Sequence, residues 1–449
     1  MTRWITAAAV WLASIPALHA AEVSNFTLDN GLEVVVLEDR RAPAVVHMLW
    51  YRVGASDEPR GLSGIAHFLE HLMFKGTETV ASGEFSRIVA ANGGRDNAFT
   101  AHDYTGYFQR VASDRLDVMM EMEADRMVNL VIDPVAMETE REVVLEERNQ
   151  RTENEPGSLF SEQRQAAQFL NHPYGQPIVG WRHEIEAITL DDLEAFYRAN
   201  YAPNNAVLIV AGDAGPEEVR ALAERTYGVI PANPAISPRD RVDEPPHLAE
   251  RRLRFEDARV SQPYVVRSYL APERDAGDQE TAAALTLLAE VLGGDSATSV
   301  LGQTLQFEQG SAIYTSAFYS GTSLDDTTFG LVAVPAPGVS LEELEAAMDA
   351  RLRSFVEEGV DAAQLERLKT QIRASLIYSE DNLGSLARRY GAALTSGLTV
   401  EDVQAWPDIL AAVTEDDILA AAELLFNRNR AVTGYMMAPD QAAAQEVMQ

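Results

Sequence analysis

The sequence predicts a chain of two related halves, each mixing strands and helices, and three observations carry that expectation. Apolar, β-branched runs alternate with segments of helical period. The stretch IPANPAISPRDRVDEPPHL (230–248) holds five prolines and several charges without apolar periodicity, and reads as an exposed linker. The two sides of that stretch also resemble each other. ITLDDLEAFYRANYAPNNAVLIV (188–210) and VTEDDILAAAELLFNRNRAVTGY (413–435) align without a gap at an offset of 225. Thr189 matches Thr414, Asp191-Asp192 match Asp416-Asp417, and Ala206-Val207 match Ala431-Val432. A weaker match pairs LEDRR (37–41) with FEDAR (255–259), and two matches in one order point to an internal duplication.

A length of 449 residues fits two or three domains. The net charge, 36 − 69 = −33, argues against nucleic acid as a partner, because phosphate binding needs clustered Lys/Arg. At the start, Arg3 precedes a mostly apolar run from Trp4 to Ala13, followed by small residues ending near Ala20-Ala21. That is the layout of a cleaved signal peptide, and the run is too short to span a bilayer. The expectation is a leader at 1–21, one domain at 22–229, the linker at 230–248 and a second domain at 249–449. The mature chain is expected to be periplasmic or secreted, with no stable membrane anchor. With no cysteine in the chain, any metal must be held by histidine and carboxylates.

Along the first half, Asn30-Gly31 marks a turn, and Val34 to Leu37 and Val45 to Tyr51 read as buried strands. Ser63 to Phe74 reads as a helix, with Ser63 as its N-cap and Gly76 just beyond its end. Charge-rich helical segments follow at about 112–130 and 134–153, and a further strand at Ala206 to Ala211.

The helix at 63–74 carries the chemistry. Of eight histidines in the chain, His67 and His71 lie four apart, with Glu70 directly before the second. On a helix these three share a face. Two imidazoles so placed grip one zinc ion, which brings the pKa of a water on it to about 7. A glutamate beside it takes the proton and returns it to the leaving amine. A third ligand is needed, and ETEREVVLEERNQRTENE (138–155) offers Glu138, Glu140, Glu142, Glu146 and Glu147. Glu140 and Glu147 are seven apart and share a face, a natural pair of ligand and supporting carboxylate. Helical spacing alone does not choose between the candidates. The segment 281–294, where the second half should repeat the opening helix, has no histidine, so one half alone can carry the metal.

Together, NGLEVVVLEDRRAPAVVHMLWYRVGAS, GLSGIAHFLEHLMFKGT, GGRDNAFTAHDYTGYF (93–108), ETEREVVLEE and the two T-x-D-D helices resemble the pitrilysin/insulinase family of zinc peptidases, the inverzincins with H-x-x-E-H order. The resemblance covers most of the mature chain. It is to the zinc-bearing subunit of two-chain bacterial members and of the mitochondrial processing peptidase type. It implies an α+β fold of two homologous halves, each an antiparallel sheet flanked by helices, forming half of a clamshell around a chamber. It implies one zinc ion per chain on His67, His71 and Glu147, with Glu70 as catalytic base and Glu140 supporting the site. It also makes Asn97, Ala98, Phe99 and Thr100 the edge strand that holds substrate by main-chain pairing; from the residues alone they read as an ordinary strand after a glycine turn.

The resemblance fails at one place. Self-sufficient members carry an Arg and a downstream Tyr in the second half. Here the segment is LGGDSATSVLGQTLQFEQGSAIYTSAFYSG (292–321), and Val300, or Thr298 in another register, stands where the Arg belongs. Neither donates hydrogen bonds as a guanidinium does. Tyr314 and Tyr319 are the candidates for the Tyr. The expectation is therefore an exported zinc endopeptidase acting on peptides or unfolded segments. Its missing Arg/Tyr pair would come from a homologous zinc-free subunit, or another residue would substitute for it, from a second copy of this chain in a homodimer. The alternative is an inactive scaffold of the same fold.

Overall fold

The computed structural model describes residues 22–239 and 241–439. The expected leader at 1–21 lies outside the described residues. Two sheets form the frame. The first contains β1 (Glu22–Thr27), β2 (Glu33–Glu38), β3 (Ala44–Tyr51), β4 (Arg95–Thr100), β5 (Thr105–Ala112) and β6 (Ala206–Gly212), in the order β1-β2-β6-β3-β5-β4. The second contains β7 (Arg251–Glu256), β8 (Tyr264–Ala271), β9 (Ala312–Tyr319), β10 (Thr327–Pro335) and β11 (Ala431–Met437), in the order β7-β11-β8-β10-β9. Each sheet is antiparallel except for one pair, β2 with β6 and β7 with β11.

The duplication is visible residue by residue. Leu37 pairs with Ala211 in the first sheet, and Phe255 pairs with Met436 in the second, at the offsets seen in the sequence. Phe99 opposes Gly106, and Phe318 opposes Gly330. In both pairs the phenyl ring lies across the glycine, where a Cβ would collide with it. The repeat of the strand 97–100 is therefore 316–319, a match the sequence hides because only Ala-Phe is kept.

The central strands β3 and β6 are buried along nearly their whole length, because both sheet faces are covered. Helices of the first half cover one face. The other face, with Val46, Met48 and Trp50, is covered by the helix Leu383–Thr395 of the second half. The exchange is reciprocal: Phe160 of the helix Pro156–Gln168 seats on Gly434 of β11, beside Val266 and Met436. Each such buried apolar side chain contributes about 1.5–3 kcal/mol, so both halves are stabilised by the same interface.

Several expected boundaries shift. The first helix is Ile65–Leu72, and Ser63 is not its cap. Gly64, at φ +89°, takes that place. Glu58 reaches in to accept from the N–H groups of Gly64 and Ala66, both at 2.9 Å, doing the work expected of Ser63. Ser63 instead accepts from the Trp181 N–H at 2.9 Å. The segment 112–130 narrows to a helix at Leu116–Val128, and 134–153 to Pro134–Arg148 followed by a wider turn at Asn149–Glu153. The T-x-D-D starts are capping boxes: Thr189 with Asp192 and Thr414 with Asp417 satisfy each other's backbone N–H. Thr399 with Asp402 and Ser340 with Glu343 form further capping boxes.

The proline-rich stretch has no strand or helix among its described residues, as expected. It is less exposed than its composition predicts. Arg241 is buried against Asp57, Asp103 and Asp325, and Glu244 accepts from the N–H groups of Leu170, Asn171 and His172. Among the described residues, no helix is long and apolar enough to cross a membrane.

Candidate metal centre

The helix Ile65–Leu72 buries Ile65, Phe68, Leu69 and Leu72 and turns His67 and His71 toward the helix Pro134–Arg148. The 4.7 Å between their ring centroids follows from the i, i+4 spacing. Glu147 comes from the last turn of the second helix. Its carboxylate oxygens stand 3.8 Å from His67 Nε2 and 3.3 Å from His71 Nε2. One donor atom from each of the three residues falls within 4.8 Å of the others, the one such group among the described residues. Tetrahedral zinc with bonds of about 2.0–2.2 Å spaces its donors about 3.3–3.6 Å apart. The residues present therefore fit zinc, and with three ligands they leave a fourth position open.

The surroundings favour a cation. His71 Nδ1 donates to Glu140 at 2.9 Å, which leaves Nε2 directed at Glu147. Lys75 Nζ lies 2.5 Å from the other Glu140 oxygen. Burial opposes a charge on His71, but the hydrogen bonds to Glu140 and Glu147 outweigh it and lift the pKa to about 9. The opposite holds for His67, where burial and the neighbouring His71 push it down to about 4 against the pull of Glu147. His67 is thus neutral with a free lone pair, while the pocket around His71 seeks positive charge. Glu147 is held below the usual carboxylate range by its hydrogen bond to His71. Its Oε1 also pairs with the exposed Arg151 at 2.5 Å.

Glu70 is buried, and that burial raises its pKa above the usual carboxylate value. Thr100 Oγ1 donates to it at 2.6 Å. This contact ties the helix to β4, the strand at the edge of the first sheet. Asn97, Ala98, Phe99 and Thr100 all lie in β4, which pairs with β5 on one side only. Among the described residues no strand pairs with its other side, the arrangement to which an extended peptide can add. A carboxylate with raised pKa beside a cation site and an open strand edge can move protons on a peptide held there.

Lys75 and Arg151 escaped the sequence reading. Both follow a site residue by four positions, Lys75 after His71 and Arg151 after Glu147, and that spacing was the available signal. Val300 packs against the core of the second half, and Thr298, whose carbonyl accepts from Gln364 at 2.7 Å, offers only a hydroxyl, so neither supplies a guanidinium. Tyr314 is exposed, and the Tyr319 hydroxyl donates to the Pro272 carbonyl at 2.5 Å.

A model of the insulinase family (peptidase family M16) matches residues 33–181, and a model described as the peptidase M16 inactive domain matches residues 187–372. The second match falls on the part without the histidine pair. The chain is similar to the zinc protease PqqE of Helicobacter pylori, at 31% identity over 368 residues covering 81% of each chain. It is similar to the mitochondrial-processing peptidase subunit beta of Lentinula edodes, at 26% identity over 88% of this chain and 86% of that one. A solved protease structure from Helicobacter pylori has a TM-score of 0.85 at 26% identity, over 93% of this chain and 99% of that one.

Proposed function

The chain belongs to the insulinase (peptidase M16) family, and from that premise we propose that it is a zinc-dependent endopeptidase. The observation that carries this is the convergence of His67, His71 and Glu147 beside Glu70, which is itself bonded to an open strand edge. His67, His71 and Glu147 hold the metal, with Glu140 orienting His71. When bound, zinc supplies Lewis acidity, bringing water to a pKa of about 7 and polarising the scissile carbonyl. Glu70 accepts the proton of the attacking water on its carboxylate and delivers it to the leaving nitrogen. Its raised pKa suits both directions of transfer, and Thr100 fixes its orientation. The edge at 97–100 holds the peptide main chain in extended form, a near-attack arrangement.

The absence of a guanidinium at Val300 or Thr298 supports a two-chain enzyme whose partner supplies an Arg/Tyr pair. One relative is itself named a subunit. The leader-like pattern at 1–21 supports export, to the periplasm or beyond. The metal-bearing domain would be 22–229 and the metal-free one 249–449. The deciding experiment is hydrolysis of a quenched fluorescent peptide by the zinc-loaded chain, alone and with its candidate partner, against Glu70→Gln. The variant should keep stoichiometric zinc and lose about 10²–10⁴-fold in turnover. Equal turnover would remove Glu70 from the chemistry. Loss of zinc would make Glu70 a ligand instead.

A further inference from the structure

We propose that an arginine-lined face beside β4 selects an acidic side chain in the bound peptide. The proposal rests on the edge-strand reading above and deepens it to a substrate preference. Arg95 of β4 stands directly opposite Arg110 of β5, and both are exposed. Residues opposed in an antiparallel pair point to the same face, where like charges repel. Among the described residues, neither side chain makes an ion pair or hydrogen bond. A cavity of about 500 Å³ lies against them, lined also by Arg41, Arg388, Asp39 and Asp381. Arg41 engages both aspartates, at 2.9 Å and 2.7 Å. Arg388 lies over the rings of Phe99 and Phe108, at 4.6 Å and 4.8 Å from their centroids. Three guanidinium groups are left without a carboxylate. Four arginines against two aspartates make this face net positive in a chain of net charge −33.

Strand geometry connects the face to substrate. Arg95, Asn97 and Phe99 alternate onto it, while Asp96, Ala98 and Thr100 point to the side where Thr100 meets Glu70. A peptide added to β4 lays every second side chain on the arginine face. The residue opposite Arg95 lies about five positions, or about 17 Å, from the residue opposite Thr100. Asp or Glu there gains charge-assisted hydrogen bonds from Arg95 and Arg110 and relieves their repulsion. The acidic surface as a whole disfavours acidic peptides, so the preference is confined to that position and does not reflect net charge.

The test uses one cleavable peptide with Glu, Gln or Lys scanned over positions about three to seven residues to either side of the scissile bond. Binding is read by fluorescence anisotropy on zinc-loaded Glu70→Gln protein, and cleavage as kcat/KM on the unaltered chain. Glu should be preferred over Gln by roughly three- to tenfold at one position, and less so at high salt. The readout is the Glu/Gln ratio within each variant, so a general loss cancels. Arg95→Glu should abolish the ratio and turn the preference toward Lys, while Arg95→Lys should keep part of it. A ratio near one at every position, or one that survives Arg95→Glu, overturns the proposal. Glu70-dependent cleavage without any ratio removes this inference alone. Absence of binding and of Glu70-dependent cleavage for every peptide removes the edge-strand reading, and this proposal with it.

Discussion

His71 carries a proton that a metal ion must displace. Its hydrogen bonds to Glu140 and Glu147 overcome burial and raise its pKa to about 9, whereas His67 beside it falls to about 4. For the metal-free chain the signs are opposite. The contribution of His71 to stability is fully present below its unfolded value near 6.5 and is lost as pH rises through about 9. His67 must stay neutral, so it costs stability as pH falls from near 6.5 toward 4. At pH 7.5, zinc binding should therefore release about one proton, taken from His71, and affinity should climb with pH up to about 9. Titration calorimetry in buffers of different ionisation enthalpy counts that proton. Glu140→Gln should reduce the release and weaken zinc binding by about 10–100-fold, since Glu140 orients the ring. Zero protons released from the unaltered chain would mean that His71 is already neutral and the two carboxylates do not govern it.

Among the elements, the helix Leu383–Thr395 shows most clearly what packing adds to sequence. Gly391 packs directly against the Trp50 indole, and a Cβ at that position would collide with the ring. Trp50 is buried and held edge-on by Phe99 and Tyr104, at 4.7 Å and 4.9 Å between centroids, so it has nowhere to move. Gly391→Ala should destabilise by about 1–3 kcal/mol from overpacking, despite the better helix propensity of alanine. Gly384→Ala, in the first turn of the same helix, has only the Asn382 side chain near it and should be neutral or mildly stabilising. Equal effects of the two, measured by denaturant unfolding, would mean the helix is not seated on Trp50. The sequence carries no motif that singles out this helix. It could not say that the buried face would cover the first half's sheet, because an apolar stripe records burial and not the partner. The residues of the candidate site were easier to read: His67, Glu70 and His71 converge through helical period alone. Glu147 needed the resemblance, because which of five glutamates meets the pair depends on how two helices cross. The helix cap failed for a related reason, since Glu58 caps from outside the helix and leaves no mark at Ser63.

At the scale of the whole molecule, the exchanged helices and the proline-rich stretch act together. Each half has a core of its own, but Phe160 seats on the second sheet and the helix Leu383–Thr395 on the first, so each sheet has one face covered by the other half. The stretch between them carries charges that composition reads as solvated, yet Arg241 is sunk among three carboxylates. It reaches Asp57 at 2.9 Å, Asp103 at 2.5 Å and Asp325 at 3.0 Å. Asp103 follows the edge strand β4, and Asp325 precedes β10, the partner of the other edge strand, β9. One guanidinium thus joins the loops beside both sheet edges. Burial raises the pKa of Asp57, a cost that Arg241 and Arg239 offset. Removing the cation takes the nearest positive charge from buried Asp57 and Asp103, a loss that typically costs about 3–5 kcal/mol. Arg241→Met should lose that much in denaturant unfolding, while keeping zinc, because none of the metal-binding candidates touches Arg241. Adding Asp103→Asn to Arg241→Met should recover part of the loss, since it removes one of the stranded charges. The unaltered chain should unfold in a single calorimetric transition, as the reciprocal helices require. A loss below about 1 kcal/mol would mark the cluster as solvent-screened and return the stretch to the passive linker its composition predicts. The full loss would make it the clasp that sets where the two sheet edges stand.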